Sequence, residues 1–177
     1  MGTQLYYQNP GKDGTSAAPP ASVDPPLPLP LRWLAIATAV YTVLLVALPI
    51  QMTLDQEALT ASIRENNPDL NPAHMDFAIN AALVYSWALH AIDVVLTIWF
   101  TVKAVRGRRW ARIALTGYLL IATSFSLVSA AAGTMYLWAV ISCDGIHVLM
   151  LVLLWAPRSV RRFFATHRAK SAIPTAT

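Results

Sequence analysis

The chain has 177 residues, of which 56% are hydrophobic and only 12% are charged, and its net charge is +4. A charged fraction about half that of ordinary soluble proteins argues against a soluble globular domain. The single cysteine, Cys143, excludes an internal disulfide and a cysteine-rich metal site.

Residues 1–30 form the first predicted region, a disordered, proline-rich cytoplasmic tail that holds seven of the twelve prolines. Proline fixes φ and removes a backbone donor, so such a segment buries too little to order itself. An inert linker is favoured over a ligand for a proline-recognising groove. The tail contains no apolar stretch of the signal-peptide kind, so we expect no cleavable signal there.

Four nearly uncharged stretches follow, and each is long enough to cross a hydrocarbon core about 30 Å thick as a helix. Backbone groups in lipid must be satisfied internally, and the short alternation of barrel strands is absent, so helices are predicted. The predicted fold is an all-α integral membrane four-helix bundle, up-down-up-down, over residues 31–157. Its predicted spans are 31–52, 77–102, 112–133 and 134–156.

The first loop, residues 53–75, is the only sizeable loop between spans. Thr53 followed by Gln56 resembles a capping box, which predicts a short surface helix over Leu54–Glu65. Asn71 before Pro72 predicts the N-cap of the second long helix. The third loop is predicted to be a tight turn at Gly133-Thr134.

The basic residues set the predicted orientation. Of 13 Lys and Arg, only Arg64 lies in the first loop, which predicts that this loop is extracytoplasmic and that both termini are cytoplasmic. This distribution favours an anionic inner leaflet as a partner and argues against nucleic acid. The tail over 158–177 is predicted to lie on that leaflet. The predicted membrane-surface bases are Arg106, Arg108, Arg109, Arg112, Arg158, Arg161 and Arg162.

Two acid–imidazole pairs lie inside predicted membrane spans, where inserting a charged side chain costs free energy. His90 and Asp93 are in the second span, and Asp144 and His147 are in the fourth. Residues three apart share a helix face. If these two parallel helices face each other, His90 is level with Asp144 and Asp93 with His147. The sequence therefore predicts a buried quartet in which each acid meets an imidazole across the interface.

Three interpretations of the quartet remain open. Buried polar residues can tie membrane helices together, and this structural interpretation ranks first. Histidine–aspartate chains can also relay protons or ions, which ranks second. Two imidazoles and two carboxylates can complete a four-coordinate metal shell, which ranks third. No cofactor is expected.

Two further stripes follow helical spacing. On the second span, Ser86 and Thr97 share the face of the acid–imidazole pair, and Thr101 continues it. On the third span, the small residues Ala122, Ser126, Ser129 and Gly133 favour close helix packing over a binding groove. The polar interior is expected to be too small for an obvious substrate cavity, and no nucleophile elbow or phosphate loop is present.

The segment RGRRWARIALTGYLL, from Arg106 to Leu120, and the closing Leu153-Leu154-Trp155-Ala156-Pro157 resemble uncharacterised four-span membrane proteins of actinobacteria. The resemblance extends to the proline-rich start and the polar first loop. It implies a multi-pass protein of the bacterial plasma membrane and carries no activity.

The resulting expectation is a non-enzymatic accessory or partner-binding membrane protein. Its candidate partners are another membrane protein or a second copy of the chain. The alternative is a small proton- or ion-conducting or metal-binding protein centred on the quartet.

Overall fold

The computed structural model describes residues 26–132 and 136–171, with side chains described for 26–130 and 136–167. This part of the chain is all helical and contains no strand, which confirms the predicted class. Most of the proline-rich tail and the turn predicted at Gly133-Thr134 lie outside the described residues. The helices are α1 (Leu29–Leu54), α2 (Gln56–Asn66), α3 (Met75–Val105), α4 (Arg109–Ala132), α5 (Leu137–Trp155) and α6 (Arg158–Ser171).

Four of these helices are long and apolar enough to cross a membrane, as the sequence predicts. The qualifying stretches are Leu29–Leu54, Pro72–Val105, Arg109–Ala130 and Leu137–Trp155. Large apolar side chains on them point outward, such as Val43 on α1. An outward apolar surface is costly in water and favourable in lipid. The chain therefore fits a multi-pass membrane protein.

Each long helix packs on two others. The principal contacts join α1 to α3 and α5, and α4 to the same two helices, so α3 and α5 lie diagonally across the bundle. Along the α1–α3 contact, Thr38 meets Thr101 near one end and Met52 meets Ser86 near the other. We call these the α6 end and the α2 end, after the short helices that pack there.

The α6 half of the bundle is filled by apolar side chains. A group that we call the apolar plug is fully buried and consists of Leu31, Leu34, Leu115, Leu119, Met150 and Leu154. Beside it, the Thr38 hydroxyl donates to the Leu34 carbonyl at 3.0 Å and therefore accepts from Thr101 at 3.0 Å. The hydroxyls of Thr38 and Thr101 are thus satisfied by each other and by the backbone, whereas the buried hydroxyl of Thr97, one turn away on α3, has no partner in the described part of the chain.

Helix α6 was not predicted, although its signal is present in the sequence. Val160, Phe163 and Phe164 recur at helical spacing and are buried against the plug. The exposed face carries Arg158, Arg161 and Arg162. The described part of the basic tail, Arg158–Ser171, is thus an amphipathic helix that packs on the bundle.

The docking of α6 has two visible consequences. Gly107 adopts φ +78, and a Cβ there would lie 2.5 Å from the His167 ring, so only glycine fits. Arg112 is 9% exposed, and its guanidinium carbon lies 3.7 Å from the Trp155 ring centroid and 5.1 Å from that of Phe164. Arg112, which was predicted as a membrane-surface base, therefore has its side chain covered by α6. Arg106, Arg108 and Arg109 are exposed as expected.

The first loop forms the predicted short helix with a different cap. The Asp55 carboxylate accepts from the backbone N–H of Ala58 at 3.1 Å, whereas Thr53 donates to the Pro49 carbonyl inside α1. Asn71 caps the 3-10 turn that leads into α3, as its position before Pro72 predicts. Helix α2 packs across the adjoining ends of α1 and α3.

Candidate functional site

A cavity of about 670 Å³ occupies the α2 half of the bundle. All four long helices contribute to its wall, and Leu59 and Ser62 of α2 complete it at one end. The volume lies within the range of about 300–1,000 Å³ that is typical of small-molecule sites. The expectation that the polar interior is too small for a substrate cavity is therefore wrong.

The lining residues nearest to the plug form what we call the cavity floor: Tyr41, Asp93, Tyr118 and His147. The Tyr41 hydroxyl donates to Asp93 Oδ2 at 3.2 Å, and the Tyr118 hydroxyl donates to the Asp93 carbonyl at 3.4 Å. A carboxylate at this depth needs a donor because no bulk water solvates it, and Tyr41 supplies one, whereas Tyr118 pairs with the backbone of Asp93. Within the described residues, no donor reaches its other oxygen, Oδ1.

His90 lies one turn above the floor on α3. Its Nδ1 is 2.7 Å from the Ser86 carbonyl oxygen, and a carbonyl can only accept. Nδ1 therefore carries the proton, and Nε2 is the ring nitrogen left to accept in the neutral form. The ring lines the cavity together with the Ser86 side chain.

His147 completes the floor from α5 and is 1% exposed. Its Nδ1 lies 2.8 Å from the Thr123 hydroxyl oxygen and 3.5 Å from Asp144 Oδ1. A nucleophile–base–acid relay uses the two opposite ring nitrogens. Here the hydroxyl and the carboxylate both approach Nδ1, so the group ties α4 to α5 without forming such a relay.

The predicted quartet is divided by Tyr41. Its ring contacts the His147 ring at a centroid distance of 4.7 Å, while its hydroxyl reaches Asp93. Only the Asp144–His147 pair is in direct contact, and the predicted cross-helix pairs are not formed. The physical reason is that α3 and α5 lie diagonally, with α1 and α4 between them.

The third interpretation of the quartet, a metal site, is not supported by this geometry. In residues 26–132 and 136–171, no three His, Cys, Asp or Glu side chains come close enough to hold a metal ion. Nδ1 of His90 is bound to the Ser86 carbonyl of its own helix, and Asp144 lies outside the cavity lining.

Sequence reasoning missed Tyr41 and misread the small-residue stripe. A phenol in the middle of an apolar span needs a hydrogen-bond partner, so the depth of Tyr41 is a usable signal. Ala122, Ser126 and Ser129 line the cavity instead of packing closely against a neighbour. Small side chains permit close packing where the opposing helix is near and leave a cavity where it is distant. Their spacing in the sequence does not distinguish a packing face from a cavity wall. Gly133 of this stripe lies outside the described residues.

The cavity opens between α3 and α4. On the α6 side of Asp93 these helices are joined by ring contacts, such as Phe100 to Tyr118 at 5.9 Å. Toward α2, exposed side chains from both helices line the cavity, including Tyr85 at 66% and Phe125 at 72%. A lateral opening bordered by apolar side chains gives access from a lipid phase.

Tyr136 lies at the α2 end of the cavity, just before α5. Burial raises the pKa of its phenol above the usual range, and the charge of Asp55 raises it further. The hydroxyl therefore stays protonated. It is buried without a hydrogen-bond partner in the described part of the chain, which is unfavourable unless a bound group or water pairs with it.

Comparison with known proteins supplies no relative from which the role of this site could be inferred, so its geometry is the basis for interpretation. No protein-family model, curated protein or solved structure matches the chain.

Proposed function

We propose that this protein is a non-enzymatic, multi-pass protein of the bacterial plasma membrane that binds a small, largely apolar molecule between its helices. The observation that carries the proposal is the cavity of about 670 Å³, which is lined mainly by apolar side chains and has an acid and two imidazoles at or near its floor. Such a combination is typical of binding sites for small molecules.

The plug makes binding a better explanation than conduction. A pathway for protons or ions requires polar groups or water along its whole length. Below the floor, the side chains of Leu34, Leu115, Leu119, Met150 and Leu154 are fully buried and tightly clustered. The cavity is therefore closed at its α6 end, which favours retention of a ligand over its passage.

The up-down-up-down arrangement and the sidedness belong to the same proposal. Exposed bases cluster at the α6 end, at Arg106, Arg108 and Arg109 and on α6, whereas α2 carries Glu57 and Glu65 with Arg64. The positive-inside rule then supports cytoplasmic termini and an extracytoplasmic α2. The cavity, which occupies the α2 half of the bundle, consequently lies in the outer half of the bilayer.

Partner binding is the second candidate, and the exposed face of α6 favours it. Arg158, Arg161 and Arg162 present a basic surface that can bind anionic lipid or an acidic protein segment. An accessory role toward another membrane protein or a second copy of the chain would use this surface rather than the cavity.

Photolabelling in lipid nanodiscs tests the binding proposal. The probe is a dodecanol analogue with an aliphatic diazirine, and labelled peptides are mapped by mass spectrometry. We expect saturable labelling of the cavity-lining parts of α3 and α4. Ser126→Trp fills the cavity and should abolish this labelling, whereas Ser124→Trp on the exposed side of α4 should preserve it. Non-saturable labelling that is unaffected by Ser126→Trp would contradict the proposal.

A further inference from the structure

The polar groups of the cavity indicate what kind of molecule it accepts. We propose that the ligand is a single-chain amphiphile with a protonated amine, bound with its nitrogen at Asp93 and its chain along the apolar walls. This inference rests on the function proposed above and specifies its ligand class.

The charge of the lining supports a cation. Asp93 is the acidic lining residue, and no Lys or Arg lines the cavity in the described part of the chain. An anionic ligand such as a fatty acid or a phosphate would approach a carboxylate without a compensating base. An ammonium group would gain a partner, and buried charges persist only when they are paired.

The hydrogen-bonding capacity of the lining supports the same class. The Tyr41 hydroxyl already donates to Asp93 Oδ2, and the His90 Nδ1–H already donates to the Ser86 carbonyl. Asp93 Oδ1 and His90 Nε2 are left as acceptors that face the cavity, while His147 Nε2 is buried within the floor without a partner in the described part of the chain. A primary ammonium offers three donors and no acceptor, so its requirements complement the two acceptors that face the cavity.

The depth of Asp93 in the bilayer favours a single-chain amine over an ordinary phospholipid as the ligand. Asp93 lies twelve residues before the end of α3 at Val105, or about 18 Å along the helix. In a hydrocarbon core about 30 Å thick this is near the middle, far from where phospholipid headgroups lie. A molecule with a compact amine head can enter through the opening between α3 and α4 and reach the floor.

Competition against the photoreactive dodecanol probe tests the ligand class. Nanodiscs of zwitterionic lipid are used, and each competitor is compared at its measured concentration in the bilayer. We expect dodecylamine to displace the probe at a concentration about tenfold lower than dodecanol, since a charge-assisted bond replaces a neutral one. Dodecanoate should be the weakest competitor.

Two matched variants locate the effect. Asp93→Asn should remove the advantage of dodecylamine over dodecanol. Asp144→Asn makes the same change on α5 outside the cavity lining and should leave the advantage intact. If Asp93→Asn does not fold, the ratio for the unaltered protein still decides the ligand class.

The possible results separate this inference from the proposed function. Equal displacement by dodecylamine and dodecanol, or an advantage that survives in Asp93→Asn, would overturn the amine assignment while saturable labelling upholds the binding role. Absence of saturable labelling by any probe would overturn the binding role itself.

Discussion

Removal of one hydroxyl at the cavity floor tests how the helices are held together there. Tyr41→Phe deletes the donor to Asp93 Oδ2 at 3.2 Å and keeps the ring that contacts His147 at 4.7 Å. Hydrogen bonds between membrane helices contribute about 0.6 kcal/mol on average and up to about 1.7 kcal/mol. Bonds to a charged acceptor are the stronger ones, so we expect a loss of about 1–2 kcal/mol.

Thermal unfolding in nanodiscs measures this loss. For a chain of this size, 1 kcal/mol corresponds to about 2–4 °C in Tm, so Tyr41→Phe should lower Tm by about 2–8 °C. Tyr85→Phe removes the same atom from a side chain that is 66% exposed and has no hydrogen bond in the described structure. This control should leave Tm nearly unchanged.

A double-mutant cycle identifies the acceptor. If the hydroxyl acts through Asp93, Tyr41→Phe should have much less effect when Asp93→Asn is already present. Equal Tm values for Tyr41→Phe and Tyr85→Phe, or strict additivity of the two changes at the floor, would refute the reasoning.

Three other predictions concern packing and orientation. Gly107→Ala forces a Cβ into α6 at a positive φ, so hydrogen exchange of the α6 amides should rise while the spans stay protected. Met150→Ala in the plug should lower the free energy of unfolding by about 2–5 kcal/mol, whereas Val148→Ala on the exposed face should lower it far less. Similar Tm values for the two variants would contradict the tight packing of the plug. In a chain whose native cysteine is replaced by serine, an impermeant maleimide should label Arg64→Cys on intact cells and Ser159→Cys only after permeabilisation. The reverse pattern would invert the proposed topology.

The long helices were predictable because their requirements are local. A span such as Leu137–Trp155 needs length and apolar composition, and both can be read from consecutive residues. The Asn71 cap was predictable for the same reason, since the cap and its N–H donor are adjacent in the chain. The first two long helices, Leu29–Leu54 and Met75–Val105, extend two or three residues beyond the predicted spans because helices continue past the apolar stretch, whereas the last, Leu137–Trp155, falls within the predicted span 134–156.

Placement of the site depends on which helices are neighbours, and local patterns do not determine this. His90 and Asp144 are level along the bundle axis by residue count, but α3 and α5 lie diagonally. The same uncertainty explains the misreading of Ser126, whose small side chain suits either close packing or a cavity wall. The burial of Arg112 was not predicted, because the tail over 158–177 was expected to lie on the inner leaflet rather than to pack against the bundle.

Access to the cavity is the central claim, and alkylation of an introduced cysteine tests it most directly. In a background lacking Cys143, Ser126→Cys places a thiol in the cavity wall, and Ala37→Cys places one in the buried core beside the plug. In nanodiscs, N-ethylmaleimide should modify Ser126→Cys much faster than Ala37→Cys, and added dodecylamine should slow only the former. Equal rates, or no protection at Ser126→Cys, would contradict the account.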